Sequence, residues 1–390
     1  MKLAQRVSKI KPSATLAVNA KALELKNKGI NILSLVVGEP DFPTPDHIAK
    51  AGKDAIDAHF TRYTAVAGIP ELRAAICEYY QKNYHVTLQS ENVIVGNGGK
   101  QCLYNVLLCL LDDGDDVLIP VPYWTSYPDM VALVGANPVF VPSGADNGYR
   151  ISLEALNNSL TPKTKMLILN SPSNPSGVTY SQEELDKILQ WAMEKDIFVI
   201  ADEVYEQLVY NPNYRSSACK FREQYPEKIA IINAFSKTFA MTGWRLGFAV
   251  AHKDLIKEMA KMQGQITSNV NSISQKAGVA ALTSSYDCIN SMREAFMRRR
   301  DFAHAEISTW KGVICPKPEG AFYLFPDVSA LFCDKYKNAQ ELCSYLLEEA
   351  QVAVMPGDAF GLANCIRISY AVSDEVLEKA LTAIKKALYQ

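Results

Sequence analysis

Through its middle, the chain alternates short apolar runs with stretches of helical periodicity. Val93-Ile94-Val95, Val117-Leu118-Ile119, Val139-Phe140-Val141, Met166–Leu169, Ile197–Ile200 and Ile229–Ile232 read as strands. Lys100–Leu111 carries a helical apolar pattern, and the helix over Ser181–Glu194 opens on a capping box of Ser181 and Glu184. A sheet with one wet face would alternate apolar and polar residues, and these runs do not. Continuous apolar strands separated by helices call for a largely parallel sheet covered on both faces. The fold class is α/β, with this large domain running over residues 46–285.

The C-terminal part changes character. A polar helix over Asp287–Trp310 precedes a strand-like run, Gly320-Ala-Phe-Tyr-Leu-Phe. A helix at Ala339–Glu349, the run Val352-Ala-Val-Met-Pro-Gly, a strand at Ile366–Tyr370 and a last helix follow. This pattern predicts a smaller α+β domain, made from residues 1–45 and 286–390. With 390 residues, 48% of them hydrophobic, the chain can bury a large core without disulfides or metal. Lys and Arg number 40 against 42 Asp and Glu, a net charge of −2, which argues against a nucleic-acid binder and against disorder. The 9 cysteines are scattered and form no CxxC pair, so free, mostly buried thiols in a reducing compartment are expected. The N-terminus shows no apolar signal region. The most apolar stretch, Leu103–Leu111, is far below the roughly 18 residues of a membrane span. These features predict a soluble, cytoplasmic protein with no nucleic-acid or membrane partner.

Ligands of open parallel sheets bind at the carboxyl ends of the strands, so the residues following each strand carry the chemistry. Gly96-Asn97-Gly98-Gly99-Lys100 opens a helix, which suits a phosphate or a plain strand–helix turn. It is neither GxGxxG nor a P-loop. Asn170-Ser-Pro-Ser-Asn174-Pro175-Ser-Gly177 forms a rigid loop. Asp202 stands at a strand end, where a buried carboxylate is costly unless partnered; its neighbour Glu203 is expected to face solvent or another segment. The last strand leads into Asn233-Ala-Phe-Ser236-Lys237-Thr-Phe-Ala-Met-Thr-Gly243-Trp-Arg245-Leu-Gly247. A lysine at a sheet edge among apolar neighbours is a candidate for a depressed pKa, and a neutral amine can form a Schiff base. Arg245 supplies a fixed cation suited to a phosphate.

Taken in order, Gly98-Gly99-Lys100-Gln101, Pro122-Tyr123-Trp124, the Asn170–Gly177 loop, Asp202-Glu-x-Tyr205, Ser236-Lys237 through Arg245-x-Gly247, Pro318-x-Gly-Ala-Phe-Tyr323 and Arg367-x-Ser-Tyr370 span nearly the whole chain. This series resembles the class I, fold-type-I aminotransferases, and most closely their bacterial aspartate and aspartate/prephenate subgroup. The resemblance implies pyridoxal 5'-phosphate as cofactor and ping-pong transfer of an amino group between a dicarboxylic amino acid and a 2-oxo acid. It implies that Lys237 binds the cofactor and shuttles the proton, and that Asp202 pairs with the ring nitrogen. Tyr205 and Asn174 match groups on the ring's phenolic oxygen, and Trp124 matches the aromatic stacked on the ring. Gly98, Gly99, Ser236 and Arg245 match the phosphate cradle. Tyr63 matches a tyrosine that reaches the phosphate in a neighbouring subunit, which implies a homodimer. Arg367 matches the arginine that clamps the substrate α-carboxylate, and Gly38 a backbone contact to the same group. One departure stands at Ala234, where many relatives carry a serine.

Specificity rests on fewer cues. By resemblance Lys100 reaches the distal carboxylate of the substrate, with a phosphate or solvent contact as its bland reading. Ser268 and Asn269 fall where a polar contact comes from the partner, and Lys11 where a basic residue is linked to prephenate. Aromatic or alanine-type aminotransferases, and lyases on the same fold, are the alternatives. A nicotinamide-dependent dehydrogenase is disfavoured because no GxGxxG follows a strand.

Overall fold

The computed structural model describes residues 1, 3–8, 10 and 14–389; Lys11 lies outside the described residues. Its strands, in chain order, are β1 (Leu33–Ser34), β2 (Val93–Gly96), β3 (Asp116–Pro120), β4 (Asn137–Val141), β5 (Thr164–Asn170) and β6 (Phe198–Asp202). They continue with β7 (Ile229–Ala234), β8 (Gly247–Val250), β9 (Tyr323–Leu324), β10 (Val352–Ala353), β11 (Met355–Pro356) and β12 (Ile366–Ser369).

The central sheet runs β2-β8-β7-β6-β5-β3-β4. Strands β4, β3, β5, β6 and β7 pair in parallel, while β8 runs antiparallel to both β7 and β2. Successive side chains of a strand point to opposite faces. On one face lie Val93, Val95, Leu118, Leu167, Leu169, Val199, Ala201, Ile229 and Ile231; on the other lie Ile94, Val117, Ile119, Met166, Ile168, Ile200, Ala230 and Ile232. Both faces are buried, which is why the strands read as unbroken apolar runs. The helix Gln182–Glu194 has Ser181 as its N-cap, with the Ser181–Glu184 capping box closed in both directions.

The structure adds β8, which was not among the expected strands. It carries β6 through Asp202, so that residue is the last of its strand. The polar helix ends at Ile307, and the Gly320–Phe325 run yields only the short β9. Of the two expectations for Glu203, solvent is overturned: the side chain is buried and accepts hydrogen bonds from Ser217 Oγ (2.8 Å) and the Ala218 amide (2.7 Å). Burial pushes its carboxyl up to about 8. All 9 cysteines are free, but Cys77, Cys109, Cys288 and Cys315 are only half-buried and Cys333 is exposed.

A second core gathers residues of the C-terminal part, among them Phe296, Trp310, Phe322, Tyr323, Ile366 and Ile368, with Leu35 from near the N-terminus and Tyr205 from the middle. The N-terminal segment joins it by main-chain pairing: β1 lies parallel to β10, and the Ser369 amide donates to the Leu35 carbonyl at 2.9 Å. Chain segments from both ends thereby close over the carboxyl edge of the sheet. No helix of the described residues is long and apolar enough to cross a membrane.

Candidate active site

A cavity of about 240 Å³ opens at that edge. Several strand ends supply parts of its wall, because the parallel strands stop there and the chain turns into loop or helix. Asp202 comes from the end of β6, Asn170 from the end of β5, and Ala234 from the end of β7. Ser236 and Lys237 sit on the single helical turn Phe235–Thr238 that follows β7. Gly99 and Lys100 open the helix Gly99–Leu110. Trp124, Asn174, Tyr205 and Arg245 complete the contribution of the sheet side, and Gly38, Tyr323 and Arg367 enter from the segments that close over it.

Lys237 Nζ donates to the Gly38 carbonyl. Burial lowers its pKa to about 8; Glu39 opposes that shift, while Arg367 and Arg245 reinforce it. The expected depressed lysine is therefore present, and its cause is desolvation plus two guanidinium groups. Asp202 is buried and accepts from Tyr127 Oη at 2.6 Å and from the Val204 amide at 3.3 Å. Burial raises its carboxyl to about 6, against the pull of those two donors. Both of these partners are neutral, so the residue faces the cavity as an uncompensated acid.

Arg367 is buried with its guanidinium over the rings of Tyr323 (4.6 Å) and Phe360 (4.9 Å). Nη1 donates to Asn174 Oδ1 at 3.0 Å and Nη2 to the Val36 carbonyl at 2.7 Å. Nε has no partner among the described residues. Tyr205 Oη and Tyr323 Oη stand 2.9 Å apart, and the Asn174 amide is fixed by Asn170 Oδ1 at 2.9 Å. Trp124 packs edge-on against Tyr127, with centroids 5.3 Å apart.

A concave cradle forms where Arg245 meets the helix start. Gly98 has φ +83°, and a Cβ there would lie 2.7 Å from Arg245 Nη2. Gly247 is more constrained: a Cβ would fall 2.4 Å from the Gly99 amide nitrogen. Backbone amides at a helix start and a guanidinium, with side chains excluded from the space between, form a site for an anion. Ala234 lines the same wall with a methyl group, so no hydroxyl comes from that position.

Lys100 Nζ donates to Ser126 Oγ at 3.1 Å and lies 4.8 Å above the Trp124 ring, at the rim. Tyr63 does not line the cavity and is 90% exposed. Ser268 and Asn269 are not in the cavity wall either; the Asn269 side chain donates to the Val270 carbonyl at 2.8 Å. Sequence reasoning gave no role to Tyr127, Thr242 or Asn170, all of which line the cavity. Thr242 donates to Glu39 Oε2 at 2.5 Å. No local sequence pattern marked Tyr127, whose tie to Asp202 spans 75 positions.

Residues 30–384 match the family model described as aminotransferase class I and II. A protein of Aquifex aeolicus named as a probable aspartate/prephenate aminotransferase is 43% identical over 388 residues, covering 99% of this chain and 98% of that one. The aspartate aminotransferase of Bacillus subtilis is 42% identical, with the same coverage. Among solved structures, the aspartate aminotransferase of Rhizobium meliloti superposes with a TM-score of 0.95 at 39% identity, covering 100% of this chain and 99% of that one. That of Thermus thermophilus with maleate gives 0.94 at 39% identity, covering 99% and 100%.

Proposed function

The chain belongs to the class I and II aminotransferases, and we propose that it transfers the amino group of aspartate to a 2-oxo acid, with pyridoxal 5'-phosphate as cofactor and two chains completing each other's sites. The observation that carries this reading is one cavity holding a desolvated lysine, a buried acid and a buried arginine with an unpartnered nitrogen.

The donor set suits the cofactor. The Gly98–Gly99 cradle with Ser236 and Arg245 would hold the phosphate. Asp202 would hold the ring nitrogen, which answers why an acid is buried against neutral donors. Trp124 would stack on the ring, and Tyr205 and Asn174 would hold the phenolic oxygen. When bound, the cofactor supplies an aldehyde that captures the amine and a protonated ring that withdraws electrons from the substrate α-carbon. Every remaining task falls to groups of the protein itself.

Arg367 binds the α-carboxylate, using the planar donor geometry that lysine lacks. The Gly38 backbone contacts the same group. Lys100 reaches the distal carboxylate from the rim, which favours dicarboxylic substrates. Lys237 Nζ, its pKa lowered to about 8, gives up its proton more readily than an exposed lysine, and in its neutral form it takes the proton from the substrate α-carbon and passes it on. Tyr63 serves the site of the partner. A cytoplasmic location belongs to the same reading, since the thiols stand free. The large domain at residues 46–285 and a small one from residues 1–45 and 286–390 would carry the two sides of the cleft.

Steady-state kinetics test the assignment. Aspartate and glutamate as donors against oxaloacetate, 2-oxoglutarate, prephenate and pyruvate should show the highest kcat/KM for dicarboxylic pairs. Lys237→Ala should abolish turnover; retained transamination in that variant, or a preference for pyruvate, would overturn the reading.

A further inference from the structure

The carboxylate-binding corner is built from two chain segments that come from opposite ends of the sequence. Gly38 lies on the segment that follows β1, and Arg367 lies on β12. Near the corner these segments are stitched by the Arg367 Nη2 bond to the Val36 carbonyl and by the bond from the Ser369 amide to the Leu35 carbonyl. Farther along, one side chain reaches both segments. Arg299, on the helix Asp287–Ile307, donates from Nη1 to Asp41 Oδ1 at 2.8 Å and from Nε to Asp374 Oδ1 at 2.6 Å. Asp41 follows the Gly38 turn, and Asp374 opens the last helix just beyond β12.

The attachment is built rather than incidental. Arg299 is only 8% exposed at its side chain, whereas Asp374 is 55% exposed. A shielded guanidinium holding two carboxylates is a stronger tie than a surface pair, which is worth little. The guanidinium also lies 5.3 Å over the Phe42 ring. Phe296, one turn back on the same helix face, meets Phe42 edge-on at 5.5 Å. One helix face thus grips Asp41 and Phe42 together. The other attachments of this loop run to the lysine side: Thr242 to Glu39, and Thr44 Oγ1 to the Ala240 carbonyl at 2.8 Å.

We propose that Arg299 is a positioning residue for substrate binding: by tying Asp41 to Asp374 it fixes the Gly38 turn against Arg367, so that the two contacts to the α-carboxylate stand in register. Arg299 does not line the cavity and touches no reacting atom, so it acts through the loop. This proposal rests on the aminotransferase reading of the site.

The test uses the cofactor-loaded enzyme carrying Arg299→Gln, Asp41→Asn or both. Arg298→Gln serves as control, because Arg298 pairs with Asp374 from the exposed side and has no bond to Asp41. Two quantities are read: KM against kcat for aspartate, and the Kd for maleate, a dicarboxylate without an amino group, by calorimetry. Arg299→Gln is expected to raise both KM and Kd about tenfold while kcat changes less than threefold. Asp41→Asn should do the same, the double variant should be no worse than either single one, and Arg298→Gln should match the parent.

A lowered melting temperature with unchanged KM and Kd would overturn the proposal and leave Arg299 a structural residue. If Arg299→Gln does not fold, Asp41→Asn decides alone, and an unchanged Kd there overturns the proposal equally. A parent enzyme that fails to transaminate aspartate removes the functional reading instead. Transamination by the parent with unaltered variants removes only the tie.

Discussion

At the scale of single residues, the site works by placing ionisable groups where water cannot reach them. Lys237 shows the cost. Its amine titrates near 10.5 in the open chain and at about 8 when folded. Between those values the unfolded chain holds a proton that the folded chain has released, so stability rises with pH across that window. Below about 8 both states are protonated, and the folded state bears the full penalty of a buried ammonium, roughly 2–4 kcal/mol. Lys237→Met removes the charge and keeps the volume. Cofactor-free Lys237→Met should therefore melt above the cofactor-free parent at about pH 7, and the gap should close as pH climbs towards 10. Thermal scans across pH check this, and a gap independent of pH would contradict it. The lysine was legible because Lys237 interrupts apolar sequence just after a strand. Tyr127 was not, because its tie to Asp202 spans 75 positions and leaves no local pattern. Glu203 was half legible: the break in the apolar run showed, but its buried partners Ser217 and Ala218 did not.

At the scale of elements, the parallel strands were readable because each is buried on both faces and so becomes a short apolar run. Strand β8 escaped because Gly247-Phe-Ala-Val is short and sits inside the segment whose chemistry draws attention to Lys237 and Arg245. Its register explains a glycine that the chemistry alone does not. Gly247 pairs with Gly96 on one side and Ala234 on the other, which brings its Cα against the turn that starts the anion cradle. A methyl group there meets backbone at 2.4 Å and 2.6 Å, where nothing can swing aside. Gly243, in the same motif, has nothing within 4 Å of its Cβ position. Gly247→Ala should cost about 1–3 kcal/mol in denaturant unfolding and weaken cofactor binding sharply. Gly243→Ala should leave both nearly unchanged. The pair separates a glycine kept for close approach from one that merely accompanies it. Equal behaviour of the two variants would refute the cradle geometry.

At the scale of the whole molecule, the site is incomplete within one chain if Tyr63 serves a phosphate. Tyr63 is 90% exposed, with Ile56 and Ile266 also exposing large apolar side chains at 52% and 51%. The Tyr63 loop is nevertheless anchored, since Gln275 Nε2 donates to Thr64 Oγ1 at 3.1 Å and Ser272 Oγ to the Phe60 carbonyl at 2.7 Å. A held loop presenting a bare tyrosine outward fits a residue that works across an interface. Periodicity shows neither this, which the family resemblance alone implied for Tyr63, nor the pairing of β1 with β10, because both join segments by shape. Hybrid dimers decide the wiring. Chains carrying Lys237→Ala are joined with chains carrying Tyr63→Ala, each with its own tag, and the mixed dimer is purified. If Tyr63 serves its own chain, one site lacks the lysine and the other lacks the tyrosine, so neither is intact. If Tyr63 serves the partner, both lesions fall in one site and the other is whole. The hybrid should then recover about half the parent's kcat per dimer, although the Lys237→Ala homodimer is inactive and the Tyr63→Ala homodimer impaired. A hybrid no more active than the average of those two homodimers would assign Tyr63 to its own chain or to no site at all.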